Sequence, residues 1–205
     1  MHQDHYFTAK PAAASRPATA HLALPGHELD LLTDHGVFAY GHIDRGTELL
    51  LRTIPSPPAS GDLLDLGCGY GPIAIAIALR SRACQVWAVD VNERALALCT
   101  ENARAAGADN VRVATPDEMP GSVRLTALYS NPPVRVGKAV LHDVLASGLG
   151  RLEPAAHAYL VVQRNLGADS LARWLREEGW AAERIRSRMG YRILDVHTAP
   201  QSIHH

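Results

Sequence analysis

Three stretches of this chain carry residue types that can do chemistry. Asp65-Leu66-Gly67-Cys68-Gly69-Tyr70-Gly71 closes one apolar run, Asp90 closes the next, and Asn131-Pro132-Pro133 closes a later one. Glycines at the end of a strand let backbone approach a ligand with no Cβ in the way. The dinucleotide fingerprint GxGxxG needs its third glycine at position 72, where Pro72 stands instead. The glycines run GxGxG, and an acid precedes the first by two residues. A carboxylate there opposes a pyrophosphate and suits a cationic amino group.

A cofactor that combines an ammonium, a sulfonium and an adenosine meets those demands, which points to S-adenosylmethionine. Asp90 can accept hydrogen bonds from both ribose hydroxyls, and it would serve a nicotinamide dinucleotide equally well. Asp117 can accept from an adenine amino group or act simply as a turn residue after Pro116. Asn131-Pro132-Pro133 bears on the reaction. Neither proline has an N–H, and Pro132 biases Asn131 toward extended backbone. The Asn131 side-chain oxygen and the Pro132 carbonyl are then two acceptors able to grip an NH₂ group. An exocyclic or amide nitrogen has a delocalised lone pair; two acceptors on its hydrogens can favour a pyramidal nitrogen aimed at a methyl donor. Arg135 and Lys138 follow at once and are candidates for phosphate or carboxylate contacts.

Strand-like and helix-like segments alternate from Leu63 onward. Strands are predicted at 62–66, 85–89, 110–114, 125–130 and 158–163. Helices are predicted after Pro72, after Asn92, over 139–149 and over 169–178. Two last strands, 182–188 and 191–197, have no helix between them. The expected fold is α/β: a doubly wound, mostly parallel, seven-stranded Rossmann-like sheet with an antiparallel C-terminal hairpin. Residues 1–46 are expected to form a small N-terminal β extension or lid, and 47–205 the main domain. Within the extension, 11–20 reads as a linker, and 27–32 and 37–40 read as strands bracketing the turn Asp34-His35-Gly36. Arg184, Arg186 and Arg188 alternate, which on a regular strand places them on one face.

The 205 residues are 47% hydrophobic and 20% charged, which excludes a disordered chain or a coiled-coil rod. The longest apolar run, Ile73 to Leu79, is far short of the ~20 residues of a membrane span, and the first residues form no secretion signal. A cytoplasmic protein is expected. The net charge of −1 argues against tight non-specific nucleic-acid binding. The only lysines are Lys10 and Lys138, so arginine supplies nearly all the positive charge. Cys68, Cys84 and Cys99 form no CxxC pair, and no histidine spacing suits a metal, so no metal is assigned.

The acidic glycine loop, Val89-Asp90-Val91-Asn92-Glu93 and Ser130-Asn131-Pro132-Pro133 together resemble the class I S-adenosylmethionine-dependent methyltransferases. Thr33-Asp34-His35-Gly36-Val37-Phe38, Ile43-Asp44, Gly46-Thr47, Gly137-Lys138 and Gly190-Tyr191-Arg192 are similar to the small-domain group within that class. That group includes the guanine-N2 methyltransferases of small-subunit ribosomal RNA. The resemblance implies that Asp65, Gly67, Cys68, Gly69 and Gly71 line the methionine end of the cofactor. It implies that Asp90, with Val91, meets the ribose and Asp117 the adenine, while Phe38 and Asp44 close over the cofactor. Asn131, Pro132 and Pro133 would form the catalytic segment, with Val134, Arg135 and Lys138 toward a ribosomal RNA substrate. Val134 replaces the aromatic that many amino-methyltransferases place there, removing stacking of ~1–3 kcal/mol per base. A protein glutamine, a DNA adenine or a small molecule are therefore the alternative amines. A nucleotide-binding oxidoreductase and a non-catalytic cofactor-binding module are the competing classes.

Overall fold

A computed structural model describes residues 9, 11 and 13–198. Lys10 and the tail histidines His204 and His205 lie outside these residues. The chain opens with strands β1 (Ala18–Leu24) and β2 (His27–Thr33), followed by helix α1 (Arg45–Thr53). Alternation then runs through β3 (Gly61–Leu66), α2 (Pro72–Arg80), β4 (Cys84–Val89), α3 (Glu93–Ala105) and β5 (Val111–Ala114). It continues with β6 (Leu125–Ser130), α4 (Lys138–Leu149), β7 (Leu152–Gln163), α5 (Ala168–Glu177), β8 (Trp180–Arg188) and β9 (Tyr191–Thr198). Among the described residues no helix is long and apolar enough to cross a membrane.

The seven-stranded sheet has the order β5-β4-β3-β6-β7-β9-β8. Its first five strands pair in parallel, and β9 runs antiparallel to both β7 and β8. The mixed α/β sheet with its C-terminal antiparallel strands is the expected fold. Strand order reverses between β3 and β6, so a crevice opens beyond their carboxyl ends, where ligands of such sheets bind. Two apolar layers flank the sheet: α1, α2 and α3 share one with the β1–β2 hairpin, and α4 and α5 form the other. Helix α2 is buried at every position from Pro72 to Leu79, which explains its run of Ile and Ala with no polar stripe.

The N-terminal hairpin differs from the sequence expectation. Strand β2 pairs with β1 around Pro25-Gly26, not with residues 37–40, which are turns. Pro25 pre-sets one turn position and Gly26 takes the next at φ +80°, as a type II turn requires. Strand β1 alternates, with Ala20, Leu22 and Leu24 facing inward, but its alanine and threonine content hid that period in an apparent linker. The arginine face differs from the expectation as well. Arg184 pairs with Leu194 whereas Arg186 pairs with Ile193, so Ile185 is an inserted residue. That bulge turns Arg186 and Arg188 toward α1 and leaves Arg184 on the α5 side. The three guanidinium groups therefore form no single stripe.

One buried amide links hairpin, helix and glycine loop. Asn102 of α3 accepts from Leu32 N (2.7 Å) and donates to Leu32 O and Tyr70 O (both 2.9 Å). Its side chain is the polar pin through an otherwise apolar contact. Asn102→Ala leaves these backbone groups unpaired and is expected to cost about 2–4 kcal/mol in urea unfolding, while exposed Thr100→Ala stays within about 0.5 kcal/mol.

Candidate active site

The crevice between β3 and β6 holds a cavity of about 410 Å³, within the range of small-ligand sites. On one wall stand Gly67, Gly69 and Asp90, and opposite them Asn131, Pro132 and Pro133. Phe38, Asp44, Val134 and Arg135 complete the part of the lining that the sequence pointed to. Cys68 faces a smaller recess below, shared with Thr47 and Asn131. The remaining sequence candidates lie off this lining. Asp65 is buried behind the loop, Gly71 packs on Cys99, and Val91 follows Asp90 at the turn into α3. Asp117 and Lys138 are exposed, on the turn after β5 and at the start of α4.

The glycine loop is built to come close. Gly67 and Gly69 have φ of +76° and +55°. A Cβ on Gly69 would enter open space, and one on Gly67 would meet only Pro133 Cδ at 3.9 Å. Both would project into room a ligand needs. Gly71 answers a different demand, since a Cβ there would lie 2.6 Å from Cys99 Sγ at φ +97°. Asp90 keeps its place by accepting from Gly69 N and Asn92 N (both 2.9 Å). Burial raises its pKa against those amides. The turn that carries Val37 and Phe38 is tied to the start of α3. Asn92 caps that helix by accepting from Arg94 N and Ala95 N, and its Nδ2 donates to Gly36 O at 2.8 Å.

Asp65 decides what the loop can hold. Its Oδ2 accepts from Ala74 N at 2.8 Å, in the first turn of α2. In dinucleotide folds the corresponding helix N-terminus binds pyrophosphate; here the chain's own carboxyl fills it. A nicotinamide dinucleotide therefore fits poorly, whereas Asp90 at the cavity suits a ribose, and the buried acid Asp65 behind the loop can release its proton when a cationic group comes near. The residues present fit S-adenosylmethionine on these grounds.

The Asn131-Pro132-Pro133 segment is set by contacts that the sequence did not signal as a unit. Asn131 Nδ2 donates to Asp44 Oδ2 (2.9 Å) and Thr47 Oγ1 (3.1 Å). A carboxylate can only accept, so the amide nitrogen must face Asp44 and the Asn131 Oδ1 is the outward atom. Asp44 also caps α1, accepting from Gly46 N (2.7 Å) and Thr47 N (3.1 Å), and it takes the Tyr191 hydroxyl at 3.3 Å. Burial and the Asp44 charge raise the Tyr191 pKa, so the phenol stays a donor at neutral pH. Gly46 permits this approach, because a Cβ there would lie 2.7 Å from the Tyr191 ring. Thr47 and Tyr191 were visible only as parts of family motifs, with no spacing that joined them to Asn131. The Pro132 carbonyl is less free than expected, for it already accepts from Val134 N at 2.8 Å and keeps one lone pair.

Asp65 also makes a pH-dependent contribution. Burial, opposed by the Ala74 amide and helped by the Asp90 charge, pushes its pKa up to about 8. The unfolded chain ionises it near pH 4. The folded form thus holds a proton that the unfolded form has released, and stability falls as pH rises between about 4 and about 8. Asp65→Asn keeps an acceptor for Ala74 and removes the charge. Its stability relative to the parent, measured by urea unfolding, is expected to increase with pH across that window and level off above it. A difference independent of pH would contradict the buried-acid assignment.

Residues 28–195 match the family described as Methyltransferase small domain. An uncharacterized protein of Bacillus subtilis, YbxB, is 31% identical over 194 residues, covering 93% of this chain and 96% of that protein. Ribosomal RNA small subunit methyltransferase C of Shewanella amazonensis is 30% identical over 179 residues, covering 85% of this chain and 52% of that protein. The chain thus spans about half the length of the curated small subunit methyltransferase C relatives it matches. Among solved structures, a Thermus thermophilus 16S rRNA N2-guanine methyltransferase in complex with AdoMet and guanosine superimposes with a TM-score of 0.74. It is 22% identical, and the match covers 89% of this chain and 51% of that one. With the family match spanning the hairpin strand β2 through β9, the chain belongs to the methyltransferase small domain family.

Proposed function

We propose that this protein transfers a methyl group from S-adenosylmethionine to the exocyclic amine of a guanine in ribosomal RNA. The observation that carries the reading is the pinned Asn131 amide. Its nitrogen is held by Asp44 and Thr47, and its Oδ1 is left without a partner among the described residues beside the glycine loop. S-adenosylmethionine, when bound, supplies an electrophilic methyl on a sulfonium. The residues of the chain do the positioning. Gly67 and Gly69 give close backbone contact, Asp90 accepts from ribose hydroxyls, and Asp65, protonated behind the loop in the free protein, can give up its proton to balance the cationic end. Asn131 Oδ1 and the remaining lone pair of Pro132 O accept the two hydrogens of the amine and turn its lone pair toward the methyl. Catalysis of this kind is orientation and electrostatics, with no metal required.

The guanine assignment draws on the names of the relatives and on the cavity wall. Phe38 supplies an aromatic ring to the cavity that Val134 does not. Arg135 is exposed at the rim and Lys138 stands just beyond it, where RNA phosphates would pass.

Tritiated-methyl transfer onto RNA, protein and small-molecule pools from a strain lacking this protein tests the reading. Label is expected in ribosomal RNA and, after nuclease digestion, on N2 of guanosine. Label in a protein glutamine, a DNA adenine or a small molecule instead would replace the proposed substrate. Asn131→Ala is expected to lower kcat about 10²–10³-fold with the cofactor Kd, by calorimetry, within twofold of the parent. Asp90→Ala is expected to show the opposite pattern, a weakened Kd for cofactor. Tyr191→Phe removes one hydrogen bond to Asp44 and is expected to reduce kcat by up to about tenfold with little change in cofactor Kd.

A further inference from the structure

A second cluster of chemically capable side chains lies at the middle of β7. His157 pairs in register with His197 on β9, and Tyr159 with Asp195, so all four side chains share one face of the sheet. His157 Nδ1 and Asp195 Oδ1 are 2.7 Å apart, and His197 Nδ1 is 3.9 Å from the same oxygen. The two imidazole rings lie 4.9 Å apart between centroids. One ligand atom from each of the three residues falls within 4.8 Å of the others. From His157 to Val161, where β7 first lines the cavity, and from Asp195 to Tyr191 on β9, is four residues of strand each, roughly 13 Å. The cluster is therefore separate from the methyl-transfer site.

We propose that His157, Asp195 and His197 form a binding site for a divalent cation of the zinc class. Two imidazoles and one carboxylate are the donor set that suits Zn²⁺ and its neighbours, and three protein ligands leave room for water. Tetrahedral bonds of 2.0–2.1 Å would space the ligand atoms by roughly 3.3 Å. The 2.7 Å separation must open and the 3.9 Å separation close by about half an ångström each, and the two imidazole nitrogens, within 4.8 Å of each other, close by up to about 1.5 Å, within the reach of side-chain rotations. His197 supplies an independent sign. Its Nδ1 is buried and has no hydrogen-bond partner among the described residues, an arrangement that folded proteins avoid and that a cation would relieve. A route in remains, because the His157 side chain is 40% exposed. Glu183 of β8 sits directly across from Asp195 and adds a second carboxylate to the same face, which favours a cation. The bound ion would clip β7 to β9 and stabilise the sheet without touching the cavity. The sequence concealed the site because Asp195 and His197 are two residues apart while the third ligand comes from a neighbouring strand.

Zinc titration of the full chain tests this. Because Zn²⁺ would bind the folded form alone, a Tm rise of about 5–10 °C is expected at a hundredfold excess over Kd, with one equivalent bound by calorimetry. Co²⁺ in its place is expected to develop visible absorption on binding. His197→Ala and His157→Ala should both lose the Tm rise and the Co²⁺ spectrum, and Asp195→Asn should weaken them at least tenfold. His21→Ala is the control, since His21 meets Glu28 and Asp30 on the exposed hairpin and would account for adventitious binding. A parent protein whose Tm does not respond would overturn the proposal. So would a response unchanged in all three cluster variants or abolished by His21→Ala. Methyl transfer by the zinc-free protein reads the proposed function independently.

Discussion

One carboxylate joins the parts of the chain that must meet for this site to exist. Asp44 receives the backbone amides that begin α1, the amide nitrogen of Asn131 at the end of β6, and the phenol of Tyr191 at the start of β9. Each hydrogen bond to a charged group contributes about 1.5–3 kcal/mol. Geometry matters more than that sum. An asparagine side chain can present either of two nearly identical ends to a substrate, and the negative charge of Asp44 allows only one. The acceptor that the proposed chemistry uses is outward because the donor is held inward. Gly46 has no side chain for a related reason, since the tyrosine ring occupies that space.

The opposite side is governed by buried carboxyl groups. Asp65 fills the N-terminus of α2, so the anion site that the fold would otherwise offer is closed. Burial holds its proton on up to about pH 8, and a cationic group brought nearby would favour releasing it. Asp90 is raised by burial too, yet its two oxygens are aimed by Gly69 and Asn92. The acid closes the loop to an anion, and the glycines leave room for a close approach. These are separate requirements that happen to fall within one short stretch of sequence.

Much of this was legible in the residues. The sheet strands, the Pro72 start and the Asn92 cap were readable because they depend on neighbours within a turn or on a period of two or 3.6. The first hairpin is hidden in the sequence, because an alanine-rich strand carries a weak period and the Asp34-His35-Gly36 turn signal outweighs that of Pro25-Gly26. The arginine stripe failed at a single inserted residue, Ile185, which one sequence cannot announce. Of the candidate residues, those on the two loops facing the cavity were brought together. Asp117 and Lys138 stand apart from it, and Asp65 and Gly71 act from behind the loop.

By itself, then, the order of amino acids determined the type of sheet, the acidic glycine turn and the rigid amide-proline segment, since each is written in adjacent residues. Only the tertiary structure decided which end of Asn131 faces the cavity, which carboxyl closes the helix, and that His157 meets Asp195 and His197. Those outcomes rest on side chains separated by tens of residues, with 87 between the positions of Asp44 and Asn131. The folded backbone alone sets such distances, and hydrogen bonding and charge act only across a few ångströms.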